Sequence, residues 1–154
     1  MMAPYKGRNL RIGRYSESGR IYLVTTVTHK RQPFFADFYT GRLIVNAMYY
    51  RHKTGLVNSL AFVVMPDHVH WLFGLCVEHK LANVMQSFKS YTARRVNLRH
   101  DRSREAVWQA GYHDHAVRRE EDVRDLARYV VENPRRAGLV SKIGDYPLWD
   151  AAWL

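Results

Sequence analysis

Near the middle of the chain lies the segment Val63-Val64-Met65-Pro66-Asp67-His68-Val69-His70-Trp71-Leu72-Phe73. Its apolar and β-branched residues belong to two expected strands, Val57 to Met65 and His68 to Leu75, with a turn or bulge at Pro66-Asp67. Because side chains alternate along a strand, His68 and His70 are expected on the same face of the sheet. Such a pair is either half of a metal site, which needs a third donor, or two locally packed histidines.

The flanking residues predict the element order β-α-β-β-α-β-α. A strand is expected over residues 21–28, and helical spacing of apolar residues occurs over residues 37–53 and 81–98. Residues 107–113 indicate a short strand or extended segment. A third helix is expected to open at residues 120–122 and to end near Asn133, because Pro134 disfavours its continuation, and a C-terminal tail follows. This order predicts an α+β fold, a ferredoxin-like sandwich whose antiparallel sheet carries helices on one face, plus the third helix.

Length and composition indicate one domain. The chain has 154 residues, of which 47% are hydrophobic, and contains no repeat or linker. We expect a single domain over residues 1–154, in which residues 1–20 form a basic N-terminal arm. No apolar run approaches the roughly 20 residues that span a bilayer, and no signal peptide is recognisable. The single cysteine, Cys76, suits a reducing compartment, so the sequence predicts a cytoplasmic protein without a membrane partner.

The charge balance points to a polyanionic partner. Lysine and arginine outnumber aspartate and glutamate by 24 to 14, which gives a formal net charge of +10. Neutralising phosphates with such charges releases counterions and favours nucleic acid binding. Any single basic side chain is also explained as an ordinary solvated charge. The candidate phosphate contacts near the second and third helices are Lys89, Arg94, Arg95 and Arg118.

The third expected helix carries two polar residues of interest. Tyr129 and Asn133 are four residues apart and share one helix face. Asn133 could supply an amide oxygen as the third metal donor, and the Tyr129 phenol could attack a phosphate held one turn away. The spacing equally fits a tyrosine packed on the core and an asparagine that ends a helix before a proline.

Several strings occur along the chain in a characteristic order. They are residues 64–72, Phe88-Lys89-Ser90-Tyr91, Val107-Trp108-Gln109, Tyr129-Val130-Val131-Glu132-Asn133-Pro134 and Ala137-Gly138-Leu139-Val140. Together they span nearly the whole chain and resemble the HUH single-strand tyrosine transposase family, most closely the REP-associated tyrosine transposases of bacteria.

The resemblance implies roles for particular residues. The two metal-binding histidines of that family match His68 and His70, the nucleophilic tyrosine of the late helix matches Tyr129, and a polar metal ligand one turn later matches Asn133. In the relatives an N-terminal arm reads bases beside the hairpin, which makes Arg11 and Arg14 candidates for that contact.

The resemblance also implies a reaction. The expected activity is cleavage and strand transfer of single-stranded DNA carrying a hairpin, through a 5′-phosphotyrosine, with Mg²⁺ or Mn²⁺ as cofactor. Its context would be DNA transposition or REP-element processing, in the bacterial cytoplasm and associated with the nucleoid. The relatives act as monomers or homodimers.

Two alternatives remain open. Tyr112 is a rival nucleophile, because His113 and His115 beside it form a second His-x-His string, with Asp114 between them. The same fold and charge would also suit a non-catalytic protein that binds hairpin nucleic acid.

Overall fold

The computed structural model describes residues 20–152, with the side chains of residues 120 and 121 excepted. Within that range the chain forms five strands and three α-helices. The strands are β1 (Ile21–Val27), β2 (Val57–Met65), β3 (His68–Leu75), β4 (His113–Val117) and β5 (Trp149–Ala151), and the helices are α1 (Phe38–Lys53), α2 (Leu81–Arg99) and α3 (Glu120–Arg136).

One antiparallel sheet organises the molecule. Its strand order is β4-β1-β3-β2-β5, and β3 lies at its centre, paired with β1 from Ile21↔Gly74 to Val27↔His68 and with β2 on its other side. The predicted α+β sandwich with an antiparallel sheet is therefore confirmed, and β2 and β3 have the predicted boundaries.

Helices α1 and α2 cover one face of the sheet. Val69, Trp71 and Phe73 of β3 point to this face, where they join the apolar side chains of both helices in the larger core cluster. Residues of α1 such as Ile44 and Met48 recur at helical spacing and are fully buried.

Helix α3 covers the opposite face, to which the even-numbered residues of β3 point. Val123, Ala127, Val130 and Val131 form its apolar stripe and pack with Leu72 in a second cluster. Each fully buried valine of such a stripe contributes about 1.5–3 kcal/mol of transfer free energy. This packing fixes α3 against the face of the sheet that carries His68 and His70.

Two local expectations were wrong, and the fourth strand lies later in the chain than the extended segment predicted for residues 107–113. Residues 107–113 do not form the fourth strand: Trp108 makes one isolated bridge to Thr28, and β4 begins at His113. The C-terminal tail contains β5, which pairs with β2 from Ala61↔Ala151 to Val63↔Trp149. The third helix does not end at Asn133 but passes through Pro134 to Arg136.

Among the described residues, no helix combines the length and apolarity needed to cross a membrane.

Candidate active site

His68 and His70 project from the start of β3 on the α3 face of the sheet. Their ring centroids lie 4.9 Å apart and the ring planes are nearly perpendicular, at 81°. The alternation of side chains along β3 produces this pairing, because the intervening Val69 is buried in the core on the other face. The predicted common face of the two histidines is confirmed.

Each imidazole is oriented through its Nδ1 atom. Nδ1 of His68 lies 2.7 Å from Oδ1 of Asp67, and Nδ1 of His70 lies 2.8 Å from the Thr25 hydroxyl. No hydrogen bond among the described residues engages either Nε2 atom. An oxygen partner on one ring nitrogen leaves the other as a ligand, which is the usual arrangement of metal-binding histidines.

Electrostatics favour the neutral form of His70. Burial, together with the neighbouring His68 and Arg136, lowers the pKa of His70 to about 4. The ring is therefore uncharged at neutral pH, which is the state in which imidazole binds metal.

Asp67 connects His68 to a strained turn. Its second carboxylate oxygen accepts a hydrogen bond from Arg31 at 2.9 Å. Burial opposes ionisation of Asp67, but the hydrogen bonds from His68 and Arg31 outweigh it and lower the pKa of the carboxyl. Lys30 and Arg31 both have positive φ angles, 55° and 52°, which cost non-glycine residues about 1–3 kcal/mol each. The turn thus holds Arg31 on Asp67 at the expense of backbone strain.

Tyr129 reaches the histidine pair from α3. It flanks the apolar stripe one residue before the buried Val130, so its ring lies at the rim of the helix-sheet interface and is 46% exposed. The Tyr129 and His70 ring centroids are 6.0 Å apart in an edge-on arrangement. One chain therefore supplies both the histidines and the phenol.

Asn133 lies one turn beyond Tyr129, and its amide group has a defined orientation. Nδ2 donates to the carbonyl oxygens of Tyr129, at 3.0 Å, and Val130, at 3.3 Å. Pro134 has no N–H for the Val130 carbonyl, so the Asn133 amide partly replaces the missing helical bond. This replacement explains why the helix continues through the proline, and it leaves Oδ1 of Asn133 as the end available to a ligand.

Arg136 covers the other side of Tyr129. Its guanidinium carbon lies 4.3 Å from the centroid of the Tyr129 ring, and Nη2 donates to the Tyr129 carbonyl at 2.6 Å. A cation stacked on an aromatic ring attracts it by about 0.5–2 kcal/mol. Arg136 therefore holds Tyr129 in place and brings positive charge beside the histidines.

The two histidines are an incomplete donor set for a divalent ion, and Asn133 would add a third protein ligand. In the described part of the chain, no three histidine, cysteine, aspartate or glutamate side chains gather into a metal site. Two imidazole nitrogens with fixed orientation, the Asn133 amide oxygen one helical turn beyond Tyr129, and added phosphate or water oxygens are donor types that suit Mg²⁺ or Mn²⁺.

Comparison with known proteins identifies the family. Residues 17–133, more than half of the chain, match the family described as "Transposase IS200 like". The chain belongs to the IS200-like transposase family. A curated relative, the REP-associated tyrosine transposase of Escherichia coli (strain K12), is 26% identical over 88 residues, which cover 56% of this chain and 50% of that protein. The matched region thus spans about half the length of that relative.

Two solved structures share the transposase fold. One is the structure of a REP-associated tyrosine transposase bound to a REP hairpin, with a TM-score of 0.71 and 21% identity over 96% of this chain and 82% of the other. The second is a crystal structure of a candidate transposase from Deinococcus radiodurans R1, with a TM-score of 0.55 and 22% identity over 73% of this chain and 88% of the other. These likenesses establish a common fold.

In this family member the rival tyrosine lies away from the histidine pair. Tyr112 precedes β4 and packs against the core cluster under α1 and α2. Burial, together with Asp114 and Tyr22, raises the pKa of Tyr112. His113 and His115 face the α3 side of the sheet. His113 pairs with Thr25, which in turn pairs with His70, so two strand spacings, about 10 Å, separate His113 from His70.

The predicted DNA contacts are spread over the molecule. Arg11 and Arg14 lie outside the described residues. Lys89 donates to the carbonyl oxygens of Gln109, at 2.7 Å, and Gly111, and burial lowers its pKa. Arg94 and Arg95 are exposed on α2, on the side of the sheet opposite the histidines, whereas Arg118 is exposed between β4 and α3. Their roles in DNA binding stay predictions.

Four residues of the site were not predicted from the sequence: Thr25, Arg31, Asp67 and Arg136. Asp67 directly precedes the histidine pair, and this adjacency was the available signal. Thr25 is brought to His70 by the pairing of β1 with β3, and Arg31 is brought to Asp67 by the turn after β1. Neither contact can be predicted from a local sequence pattern. Arg136 lies beyond the predicted end of the third helix, and the continuation of α3 past Pro134 brings it over Tyr129.

Proposed function

We propose that this IS200-like transposase cleaves single-stranded DNA beside a hairpin and transfers the strand through a 5′-phosphotyrosine on Tyr129. The observation that carries the proposal is the 6.0 Å approach of the Tyr129 ring to His70, beside His68, within one chain. Family membership supports DNA processing. The hairpin-bound relative supports hairpin DNA as the substrate.

In the proposed reaction the Tyr129 hydroxyl oxygen attacks the scissile phosphorus. The new bond joins phosphorus to the phenolic oxygen, and the bond from phosphorus to the 3′ oxygen breaks. The phenol loses its proton and the departing oxygen gains one, so the products are a 5′-phosphotyrosine and a free 3′-OH. Attack by another 3′-OH on the phosphotyrosine reverses these steps and joins the strands without nucleotide hydrolysis.

The surrounding residues have distinct tasks in this proposal. His68, His70 and Asn133 would hold Mg²⁺ or Mn²⁺, which polarises and orients a phosphate when bound. Asp67 and Thr25 keep the two imidazoles aligned. Arg136 fixes the Tyr129 ring and supplies positive charge where phosphate charge must be neutralised.

A labelled hairpin oligonucleotide with a single-stranded flank tests the proposal. With Mn²⁺ the wild type should give a protein-linked band on a denaturing gel, and chelation by EDTA should remove it. Tyr129→Phe should abolish the band and still bind the hairpin, whereas the matched control Tyr112→Phe should retain both. A full adduct in Tyr129→Phe would refute the nucleophile, and hairpin binding by the wild type without any adduct would favour the non-catalytic alternative.

A further inference from the structure

Arg51 is a buried cation on the face of the sheet that the candidate active site does not use. It lies on α1 with 6% of its surface exposed. Nη1 donates to the Ala47 carbonyl at 3.1 Å and Nη2 to the Ser87 hydroxyl at 2.9 Å, while the buried Nε has no hydrogen-bond partner in the described part of the chain. Both of its hydrogen-bond partners are therefore neutral groups.

The charge of Arg51 is not compensated within the described residues. None of the ion pairs formed between residues 20 and 152 includes Arg51. Burial lowers the pKa of Arg51, although it remains charged as arginines do in proteins. A buried charge without a counter-charge is costly, and a guanidinium has five N–H donors, of which two are engaged here. An anion from outside would supply the missing partner.

Arg51 lines a cleft between α1 and α2. The cleft has a volume of about 470 Å³, and Asn46, Ala47, Tyr50 and Tyr91 complete its lining. The Arg51 guanidinium lies 5.6 Å from the Tyr91 ring centroid. Tyr50 and Tyr91 are 63% and 41% exposed, so both rings have surface available for stacking. Aromatic rings beside a cation are the combination with which proteins bind unpaired bases and their phosphates.

The basic surface continues beyond the cleft. Arg94 and Arg95 follow Tyr91 at i+3 and i+4, hence on the same side of α2, and both are exposed. A strand that leaves the cleft along α2 would meet two further cations, in keeping with the net charge of +10.

We propose that this cleft binds an unpaired nucleotide of single-stranded DNA, with a phosphate on Arg51 and the base in contact with the rings of both Tyr50 and Tyr91. The choice of DNA as the polymer rests on the proposed function. Because the cleft and the histidine pair lie on opposite faces of the sheet, the bound nucleotide is distinct from the cleaved one and anchors a flanking part of the substrate.

Equilibrium binding in EDTA tests the site without any need for cleavage. Fluorescence anisotropy measures the Kd for a labelled hairpin with a (dT)12 extension and for the same hairpin without it. Tyr91→Ala and Tyr50→Ala should each raise the Kd for the extended hairpin about 5-fold or more, because stacking of one base is lost, and should leave the Kd of the blunt hairpin unchanged. Arg51→Lys retains the charge but loses the fork geometry, and should weaken the extended hairpin in the same way.

Tyr39→Ala is the matched control. Tyr39 lies on the same helix and is 64% exposed, but it is about 16 Å from Tyr50 along the α1 axis. Its substitution should change neither Kd. Circular dichroism melting of every variant verifies folding, and the surface position of Tyr50 keeps the test valid if Arg51→Lys unfolds.

Photocrosslinking locates the nucleotide directly. The extended hairpin with 5-iododeoxyuridine in its flank should crosslink to the peptide of Tyr91 or Tyr50, and excess dTMP should compete only weakly. Crosslinks elsewhere with an unchanged Kd in all cleft variants would overturn the proposal. If dTMP competed as strongly as the extended hairpin itself, the cleft would instead be a site for free nucleotides, and the proposal would be overturned. Cleft variants that lost binding to (U)12 RNA but kept the wild-type Kd for the extended DNA hairpin would also overturn it. Adduct formation at Tyr129 is scored separately, so failure of the cleft and failure of the cleavage chemistry are distinguishable.

Discussion

Replacing Asp67 by alanine should weaken metal binding at the histidine pair without unfolding the protein. Asp67 Oδ1 lies 2.7 Å from Nδ1 of His68, and the half-buried carboxylate also accepts from Arg31. The substitution removes the group that fixes the His68 ring and its tautomer, and leaves both histidines in place. The lowered pKa of Asp67 means that the lost partner is a full negative charge at neutral pH.

The magnitude follows from the type of hydrogen bond. Loss of a carboxylate that is hydrogen-bonded to a metal-binding histidine typically costs 10–100-fold in metal affinity, or about 1.4–2.8 kcal/mol. Asp67→Asn keeps an acceptor but not the charge, so its loss should be smaller. Thr25→Val removes a neutral hydrogen bond to His70, which is worth about 1 kcal/mol, or roughly 5-fold. The expected order of Mn²⁺ Kd is therefore wild type, Thr25→Val, Asp67→Asn and Asp67→Ala.

Electron paramagnetic resonance of free Mn²⁺ measures these affinities directly. A parallel titration of adduct formation should show that high Mn²⁺ restores much of the rate of Asp67→Ala, because its defect lies in affinity. Asp125→Ala is the matched control, since within residues 20–152 the ion pair that Asp125 forms is with the exposed Arg128 on α3. An unchanged Mn²⁺ Kd in Asp67→Ala, or a loss equal to that of Asp125→Ala, would refute the role assigned to the carboxylate.

Three further substitutions test other parts of the account. Arg136→Gln should slow adduct formation about 3- to 30-fold with little change in hairpin Kd, because the cation over Tyr129 is lost. The control Arg135→Gln removes the ion pair with Glu132, and equal rates of adduct formation in the two variants would contradict the role of Arg136. Gly41→Ala should lower the free energy of unfolding by about 1–3 kcal/mol, because the added Cβ would overlap the buried Leu148 side chain, and this outweighs the better helix propensity of alanine. An unchanged urea midpoint would show that Leu148 repacks freely. Burial raises the pKa of Tyr146 from 10.0 to about 12, so the contribution of the neutral phenol to folding stability is complete below pH 10 and disappears as the pH rises through 12. Tyr146→Phe should flatten this part of the curve of unfolding free energy against pH, and equal slopes in the two proteins would contradict this effect of burial.

The sequence was most informative where the pattern is local and repeated. The alternation in β3 predicted the common face of His68 and His70, and helical spacing placed Tyr129 and Asn133 on one side of α3. The sequence also indicated both helices that cover the other face, because their apolar residues recur over several turns. These features depend on neighbours within about eight residues.

Features that depend on distant partners were missed. β5 has three residues, and its pairing with β2 is supported by the Tyr146 hydroxyl on the Val64 carbonyl, a contact between residues 82 positions apart. The helix was predicted to end near Asn133 from the presence of Pro134 alone. In the structure the Asn133 amide and the packed apolar stripe of α3 compensate for the N–H that Pro134 lacks. The alignment of His70 by Thr25 arises only when β1 pairs with β3.

Mass spectrometry of the covalent complex addresses the central proposal most directly. After reaction with a hairpin substrate and Mn²⁺, nuclease and protease digestion would leave a short nucleotide remnant on one peptide. We expect a 5′-phosphate linkage to Tyr129 in the wild type and none in Tyr129→Phe. A remnant on Tyr112, on a histidine or on any other residue would contradict it.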